Sequence, residues 1–320
     1  MKLMPKRAAM NKHVSVLLNE AVDALNVKDE GIYVDLTLGR GGHSKEILKK
    51  LTSGHLYCFD KDEEAIVESK QNLAEFQERA TIIRDDFRNF KSCLNELGID
   101  SVDGILLDLG VSSPQFDEGS RGFSYREDSR LDMRMDTRQK LTAYDVVNTY
   151  SLQELTRVFR EYGEDKYSYQ IARKIVEKRK QKPVETTSEL VEIIKCCKPQ
   201  KELAKKGHPA KQIFQALRIE VNDELNALKD ALKDALEMLN IEGRIVVITF
   251  HSLEDRIVKT MFQTVSKVEG TRKNVYSLPS KDDEPNYQLV DNKVILPSEK
   301  EMEENPRSKS AKLRAIRRVK

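Results

Sequence analysis

Short apolar runs alternate with segments of helical periodicity in the first third of the chain. The apolar runs predict strands at residues 32–36, 55–60, 80–84 and 102–109, and the segments between them predict helices at 44–51, 63–76 and 89–97. Strands that alternate with helices in this way are typical of a parallel sheet covered by helices. We therefore assign residues 12–115 to the first part of an α/β core.

The alternation stops after residue 110. Residues 111–138 are rich in Ser, Gly, Asp and Arg and predict a loop, whereas residues 141–200 show helical periodicity without strands. The lysines and arginines of this helical stretch are dense. We predict an inserted helical subdomain at residues 116–210, which serves RNA recognition.

The second part of the core is predicted at residues 211–320. A long helical stretch at 212–239 leads to a buried strand at 244–250, and Ser252 is expected to cap the helix that follows. A further strand is predicted near 287–295, ahead of a basic C-terminal tail. These elements are expected to complete the sheet.

A glycine-rich turn follows the first predicted strand. It holds Gly39, Gly41 and Gly42 before the helix that His43 opens. Glycine lets a backbone turn tightly and approach a ligand closely, because no Cβ intervenes. Asp60 follows the second strand, 19 residues after Gly41, where a Rossmann-like site binds a ribose diol. The turn lacks the ending of a phosphate-binding loop, so a nucleoside site is favoured over both that loop and a plain βα turn.

Further strand ends carry residues suited to a ligand site, because ligands in open α/β sheets lie outside the carboxyl ends of the strands. Asp86 and Phe87 follow the third strand and suit an adenine ring, although core packing explains Phe87 equally well. Asp108 ends the fourth strand. His251 follows the buried strand of the second part, where it either lines the pocket of the substrate or orients the Ser252 cap.

Composition and charge restrict the partners. No apolar run is long enough to cross a bilayer and no signal-peptide pattern opens the chain, so we expect a cytoplasmic protein without a membrane partner. The 4 cysteines have no zinc-ligand spacing, and no metal site is predicted. Because the net charge is only +2, any affinity for nucleic acid must come from local clusters.

Two such clusters are candidates for RNA contact. They are Arg173, Lys174, Lys178 and Arg179 in the helical insert, and Arg307, Lys309, Lys312 and Arg314 in the C-terminal stretch. A charge run is usually a solvated face, but beside a nucleoside-binding core phosphate contact is the favoured interpretation. Tyr167 and Tyr169 could stack a splayed base, and core packing explains them as well.

The loop after the fourth strand carries a second motif. Ser113-Pro114-Gln115-Phe116 resembles the Ser/Asp/Asn-Pro-Pro-aromatic motif of amino-group methyltransferases, and the glycine turn resembles the first motif of S-adenosylmethionine-dependent methyltransferases. An exocyclic amine is a poor nucleophile because its lone pair is delocalised into the ring. Oxygen acceptors that hold its N–H groups therefore assist attack on a methyl group. Asp108, Ser113 and His251 are the candidate catalytic residues.

Longer motifs spread along the chain resemble one family. They include His13-Val-Ser-Val-Leu-Leu, Thr37-Leu-Gly-Arg-Gly-Gly-His-Ser, Arg121-Gly-Phe-Ser, Leu131-Asp-Met-Arg-Met-Asp, Phe214-Gln-Ala-Leu-Arg-Ile, Phe250-His-Ser-Leu-Glu-Asp-Arg and Asn305-Pro-Arg-Ser-Lys-Ser-Ala-Lys-Leu-Arg. From about His13 to the C-terminus, the set resembles the bacterial ribosomal RNA small-subunit methyltransferase H family. The resemblance implies an α/β fold of the Rossmann-like class I S-adenosylmethionine-dependent methyltransferase type with an inserted helical subdomain.

The same resemblance implies a reaction and a set of cofactor contacts. The expected reaction is methylation of N4 of cytidine 1402 in the 16S ribosomal RNA of the small ribosomal subunit. The expected contacts to S-adenosyl-L-methionine are made by Gly41, Gly42, His43, Asp60, Phe87, Asp108 and Gln115.

Two other functions are weighed against this one. A nicotinamide-dependent dehydrogenase could use the same fold, but the glycine spacing and the lack of a hydride-transfer constellation disfavour it. A non-catalytic RNA-binding or assembly factor could retain a vestigial fold, but the intact turn, Asp60 and the Asp108 loop argue against decay. The sequence leaves the oligomeric state open, with a homodimer as one alternative.

Overall fold

The computed structural model describes residues 15–110, 121–267 and 284–320. Its first part alternates strands and helices as the pattern predicts, in the order α1 (Leu18–Leu25), β1 (Ile32–Asp35), α2 (Gly42–Lys50), β2 (His55–Asp60), α3 (Glu63–Asn72), β3 (Ala80–Arg84), α4 (Phe90–Glu96) and β4 (Val102–Asp108). The predicted helix at 63–76 ends at Asn72 and is followed by a 3-10 turn over Ala74–Phe76. The predicted strands and helices of this part are confirmed.

The inserted helical unit contains α5 (Ala143–Thr149), α6 (Leu152–Glu161), α7 (Ser168–Arg179), α8 (Thr187–Cys196), α9 (Gln200–Leu203) and α10 (Lys211–Asn222). Capping boxes begin several of these helices, such as the one between Ser151 and Glu154, and each stabilises its helix by about 1 kcal/mol. The apolar side chains form a core that runs from Phe123 to Val221. Because α10 buries its apolar face in this core, the unit extends beyond the predicted boundary at residue 210.

The second part of the core contains α11 (Glu224–Met238), β5 (Leu239–Thr249), α12 (Ser252–Val265), β6 (Tyr287–Leu289), α13 (Glu299–Glu304) and β7 (Lys312–Arg318). The single helical stretch predicted at 212–239 is wrong: α10 and α11 meet at Asp223, whose φ of 49° breaks the helical geometry. The predicted cap is also wrong by one residue. His251 is the N-cap of α12, and its capping box is completed by Glu254.

The strands form a sheet in the order β3-β2-β1-β4-β5-β7-β6. β1 to β5 are parallel, and β7 runs antiparallel between β5 and β6. Much of the basic C-terminal tail is therefore a strand within the sheet. Its apolar residues make this possible, because Leu313 and Ile316 are fully buried and each contributes about 1.5–3 kcal/mol. The strand predicted near 287–295 is reduced to β6 and a bridge between Ile295 and Leu313.

Apolar side chains fill both faces of the sheet. One cluster packs α1 and α2 on one face, through residues such as Leu25 and Leu48, and the other packs α11 and α12 on the opposite face, through Leu232 and Phe262. Since both faces are covered, a ligand reaches this sheet at its carboxyl edge. The described helices include none whose length and apolarity would let it cross a bilayer.

Candidate active site

A cavity of about 890 Å³ opens at the carboxyl ends of β1, β2, β4 and β5. The core contributes one wall, which includes Gly39, Asp60 and Asp108, and the helical unit contributes another from residues 124–127 and α10. This volume is typical of sites that enclose a small molecule. The cavity lies where the sequence places the candidate site.

Asp35 ties the turn between β1 and α2 to the sheet. Its buried carboxylate accepts hydrogen bonds from the Thr37 backbone N–H at 3.0 Å and from the Ser44 hydroxyl at 2.6 Å. Burial raises the pKa of Asp35 in spite of these bonds. The Thr37 hydroxyl oxygen in turn accepts the backbone N–H of Asp108 at 2.6 Å, which fixes the turn against the end of β4.

The glycines of this turn have different roles. Gly39 and Gly41 adopt positive φ angles of 51° and 78°, which favour glycine. A Cβ on Gly39 would meet no atom closer than 3.9 Å, so this glycine faces open space at the cavity wall. A Cβ on Gly42 would instead approach the Ser15 hydroxyl to 2.0 Å, so Gly42 is required by the close approach of the N-terminal segment.

Asp60 lies at the end of β2 and borders the cavity. One carboxylate oxygen accepts the Gly39 N–H and the other accepts the Asp62 N–H, each at 2.9 Å. Burial raises the pKa of Asp60 to about 6, although these two bonds oppose the increase. Asp60 therefore holds the glycine turn in place and presents a carboxylate whose ionisation falls close to neutral pH.

Phe87 borders the cavity and also packs against the core beside the sheet. It opens a 3-10 turn that Asp86 caps, since an Asp86 carboxylate oxygen accepts the Arg88 N–H at 3.0 Å. The carboxylate that borders the cavity next to Phe87 belongs to Asp85. The structure thus places Phe87 at the cavity and gives Asp86 a local role.

Asp108 and His43 face each other across the floor of the cavity. The Nε2 atom of His43 lies 3.1 Å from the Val16 carbonyl oxygen, and its Nδ1 atom lies 3.6 Å from an Asp108 oxygen. Burial, together with the charges of Asp35 and Glu254, raises the pKa of Asp108 well above its usual value. The other Asp108 oxygen, Oδ1, is buried and has no hydrogen-bond partner among the described residues. Such an orphaned buried acceptor indicates a place for a ligand donor.

His251 also borders the cavity, at the start of α12. Its Nδ1 atom accepts the Glu254 backbone N–H at 3.4 Å, and its Nε2 atom lies 3.0 Å from a Glu254 carboxylate oxygen. Burial alone would raise the pKa of Glu254, but the contact with His251 and the nearby charge of Arg218 hold it below its usual value. His251 thus caps α12 through Nδ1, whereas its buried Nε2 atom makes no hydrogen bond to a described residue.

Arg218 completes this side of the cavity. Its Nε and Nη2 atoms donate to the two carboxylate oxygens of Glu224, each at 2.8 Å. Glu224, His251 and Glu254 bring potential ligand atoms within 4.8 Å of one another. The Arg218 guanidinium lies against Glu224, so its positive charge opposes a cation at this group.

Residues 10–319 match the family model described as the MraW methylase family. The chain belongs to the MraW methylase family. It is 56% identical over 310 residues to the ribosomal RNA small subunit methyltransferase H of Streptococcus dysgalactiae subsp. equisimilis, a match that covers 96% of this chain and 98% of the relative. The protein of the same name in Streptococcus pyogenes serotype M4 is 55% identical over the same shares.

The predicted family and the Rossmann-like class I methyltransferase fold are both confirmed. A solved rRNA methylase from Streptococcus thermophilus is similar, with a TM-score of 0.44 and 12% identity, over 97% of this chain and all 100% of that one. Ser113 and Gln115, two of the site residues predicted for the present chain, lie outside its described residues. Gly41 belongs to the turn but not to the described lining of the cavity, whereas Gly42 and His43 border it.

The four basic residues of α7 that are predicted to contact RNA differ from one another in their surroundings. Arg173 and Lys178 are exposed, and Lys174 forms an ion pair with Glu177 at 3.1 Å. Arg179 instead donates to the carbonyl oxygens of Val147 at 2.7 Å and Tyr150 at 2.5 Å. Arg179 therefore satisfies the C-terminal carbonyls of α5, which is a structural role.

The basic C-terminal residues also separate into two groups. Arg307 and Lys309 border the cavity. Lys312 and Arg314 lie on β7 and bind the Asp255 carboxylate of α12, at 3.0 and 2.7 Å. These two cations connect the sheet to a covering helix. The sequence pattern had placed them in a basic C-terminal tail.

Sequence reasoning missed the N-terminal and C-terminal segments that cover the cavity. Ser15 and Val16 border it, as do Asn305, Pro306, Arg307, Lys309 and Ser310. A hydrogen bond of 2.8 Å from the Leu17 backbone N–H to the Glu301 carboxylate joins the two segments. These residues stand 284 positions apart, so no local pattern could have indicated the contact.

Sequence reasoning also missed the role of Arg121, which fastens the helical unit to the core. Its Nη1 atom lies 2.6 Å from an Asp62 oxygen, and its Nη2 atom donates to the carbonyls of Arg134 and Met135 at 2.9 Å. Asp62 in turn donates its backbone N–H to Asp60, so Asp62 connects Arg121 to the candidate cofactor residue. The motif that begins at Arg121 was the available signal.

Proposed function

We propose that this chain transfers a methyl group from S-adenosylmethionine to the N4 amine of a cytidine in the 16S rRNA of the small ribosomal subunit. The observation that carries the proposal is the cavity, which brings the Asp60 carboxylate and the glycine turn beside the orphaned oxygen of Asp108. The names of the two relatives support an rRNA substrate of the small subunit.

The residues present fit the cofactor. Gly39 leaves open space where any other residue would place a Cβ. Asp60 has acceptor capacity left for two ribose hydroxyls after its two backbone bonds, and Phe87 offers an apolar ring at the cavity wall. When bound, S-adenosylmethionine supplies an electrophilic methyl group on a sulfonium, and its sulfur keeps the electron pair of the broken bond.

The residues of the chain assist the amine in two ways. An acceptor oxygen that holds an N–H of the amine draws the nitrogen toward the tetrahedral geometry of attack. We assign this role to Oδ1 of Asp108, which is buried and has no hydrogen-bond partner among the described residues. The nitrogen that gains a methyl group must then release one proton. This proton passes to water, so no strong general base is required. We propose that Ser113 takes part in catalysis and that Gln115 binds the cofactor.

The cavity has a second wall, formed by the helical unit, and this suits a nucleotide turned out of its stack. Arg307 and Lys309 at the cavity rim, and Arg173 and Lys178 on α7, are proposed to bind RNA phosphates.

The test is single-turnover methylation of assembled small subunits from a strain that lacks this modification, with the product nucleoside identified by mass spectrometry. We expect N4-methylcytidine, and we expect Asp108→Asn to reduce turnover strongly while the protein stays folded. A methyl group on carbon 5 or on a ribose oxygen would contradict the proposal. Calorimetric titration with S-adenosylmethionine and with NAD separates the methyltransferase from a dehydrogenase.

A further inference from the structure

The helical unit presents one polar helix face to the cavity. Lys211, Gln215 and Arg218 of α10 all border the cavity, and their spacing places them on the same side of a helix. The opposite side of α10 is buried in the core of the helical unit through Ile213 and Ala216. This packing fixes the rotation of the helix, so the three polar side chains are directed at the space across from Asp108.

Tyr125 lies beside this face and borders the same cavity. His208 stacks on one face of its ring, with centroids 4.2 Å apart and planes 9° apart, and Phe214 meets the ring edge at 5.7 Å. The ring is therefore held rigidly next to α10. Because His208 covers one face, a planar ligand in the cavity would have to stack on the other face. Tyr167 and Tyr169, which the sequence offered for stacking, are not among the described residues that line the cavity.

Polar atoms on α10 are left for a ligand. The amide nitrogen of Gln215 donates to the Tyr162 carbonyl at 3.1 Å, and its Oε1 atom makes no hydrogen bond to a described residue. Arg218 uses Nε and Nη2 on Glu224, and its Nη1 makes none to a described residue. An acceptor thus stands one helical turn from a charged donor.

This pair of atoms matches one pyrimidine and not the other. Cytosine presents a donor at its N4 amine and acceptors at N3 and O2, whereas uracil presents an acceptor at position 4 and a donor at N3. Gln215 Oε1 would accept from the amine, and Arg218 Nη1 would donate to N3. In uracil, Gln215 Oε1 would face the acceptor at position 4, and Arg218 Nη1 would face the N3 donor. Both contacts would be lost, and the polar groups would stay unpaired.

We propose that Tyr125, Gln215 and Arg218 form the recognition site for the target cytosine: Tyr125 stacks on the base, and the two α10 side chains read its Watson–Crick edge. The inference rests on the proposed function and deepens it, because it assigns base selection to the helical unit. The Glu224 ion pair then acts as a positioning contact that orients Arg218.

The test uses single-turnover methylation of unmethylated small subunits and competition by subunits that carry uridine at the target position. Tyr125→Leu should lower kcat/KM by roughly tenfold to a hundredfold, because stacking on the base is lost. Gln215→Leu should lower it by roughly tenfold and should also weaken the preference for cytidine over the uridine competitor. Affinity for S-adenosylmethionine should not change in either variant.

Matched controls exclude a purely structural effect. Gln212 is on the same helix and donates a similar bond to the Glu164 carbonyl at 3.2 Å, and Tyr144 is an exposed tyrosine of the same unit. Gln212→Leu and Tyr144→Leu should retain wild-type turnover and preference. The inference is overturned if Tyr125→Leu and Gln215→Leu match these controls, or if Gln215→Leu binds both subunits more weakly by the same factor. If wild type itself transfers no methyl group, the proposed function fails instead.

Discussion

Substitution of Asp60 should weaken the binding of S-adenosylmethionine, because its carboxylate is the proposed acceptor for the ribose hydroxyls. Its two oxygens accept the backbone N–H groups of Gly39 and Asp62, each at 2.9 Å, and keep lone pairs for a ribose diol. Asp60→Asn preserves the shape of the side chain, removes its charge and replaces one acceptor by a donor. A hydrogen bond to a charged group contributes roughly 1.5–3 kcal/mol, so S-adenosylmethionine should bind roughly ten- to a hundredfold more weakly to the variant.

The pKa of Asp60 gives the same prediction a pH signature. Burial raises this pKa to about 6, and the ionised carboxylate is the form that accepts both hydroxyls. Cofactor affinity should therefore be complete above this pH and decline as the pH falls through it, by about tenfold between pH ~7 and pH ~5. Asn does not titrate, so Asp60→Asn should lose this part of the pH dependence.

The measurement is isothermal titration calorimetry with S-adenosylmethionine at both pH values. Asp103→Asn is the matched control, because Asp103 accepts a strand N–H from Ile32 at 2.9 Å at the amino ends of β4 and β1, away from the cavity. It should bind the cofactor like wild type. Equal affinities of wild type and Asp60→Asn near pH ~7, or an unchanged pH slope in the variant, would refute the role assigned to Asp60.

Three further predictions concern stability and RNA contact. Arg121→Met removes the charged hydrogen bond from Arg121 to Asp62 and should destabilise the protein by about 1.5–3 kcal/mol in urea denaturation, with partial recovery in Arg121→Lys. Arg179→Met should lower the Tm, because the Val147 and Tyr150 carbonyls lose their donor. Lys178→Gln should leave the Tm unchanged and reduce the salt dependence of RNA binding. The same effects in both variants would contradict a structural role for Arg179 and an RNA-binding role for Lys178. Asp255→Asn should destabilise the protein at neutral pH, since partners on β7 hold the pKa of Asp255 below its usual value against the effect of burial, and the deficit should shrink as the pH falls below about 4.

The sequence by itself determined the strands and helices that form the core wall of the cavity. Apolar runs of strand length and intervening helical periodicity are local properties, so β1 to β4 could be located from them. The carboxyl ends of parallel strands meet at one edge, so Asp60, Asp108 and His251 could be placed near one another without coordinates. Glycines at positive φ, such as Gly39, are detectable because the turn excludes most other residues.

The tertiary structure alone decided which charged residues are available to a ligand. In the sequence Lys178 and Arg179 are equivalent neighbours, but one is exposed and the other holds the end of α5. Likewise, Arg314 of the basic tail is engaged by Asp255, 59 positions away. A pattern of charges records sign and spacing along the chain. It does not record which carboxylate or carbonyl lies within hydrogen-bond distance after folding.

The second wall of the cavity was decided in the same way. Periodicity identified a helical stretch from 212 onward but carried no sign of the break at Asp223, because both helices bury apolar faces of similar spacing. The break assigns α10 to the core of the helical unit and turns Gln215 and Arg218 toward the cavity. Which face of an amphipathic helix meets which surface depends on contacts between distant segments, and these form only in the folded chain.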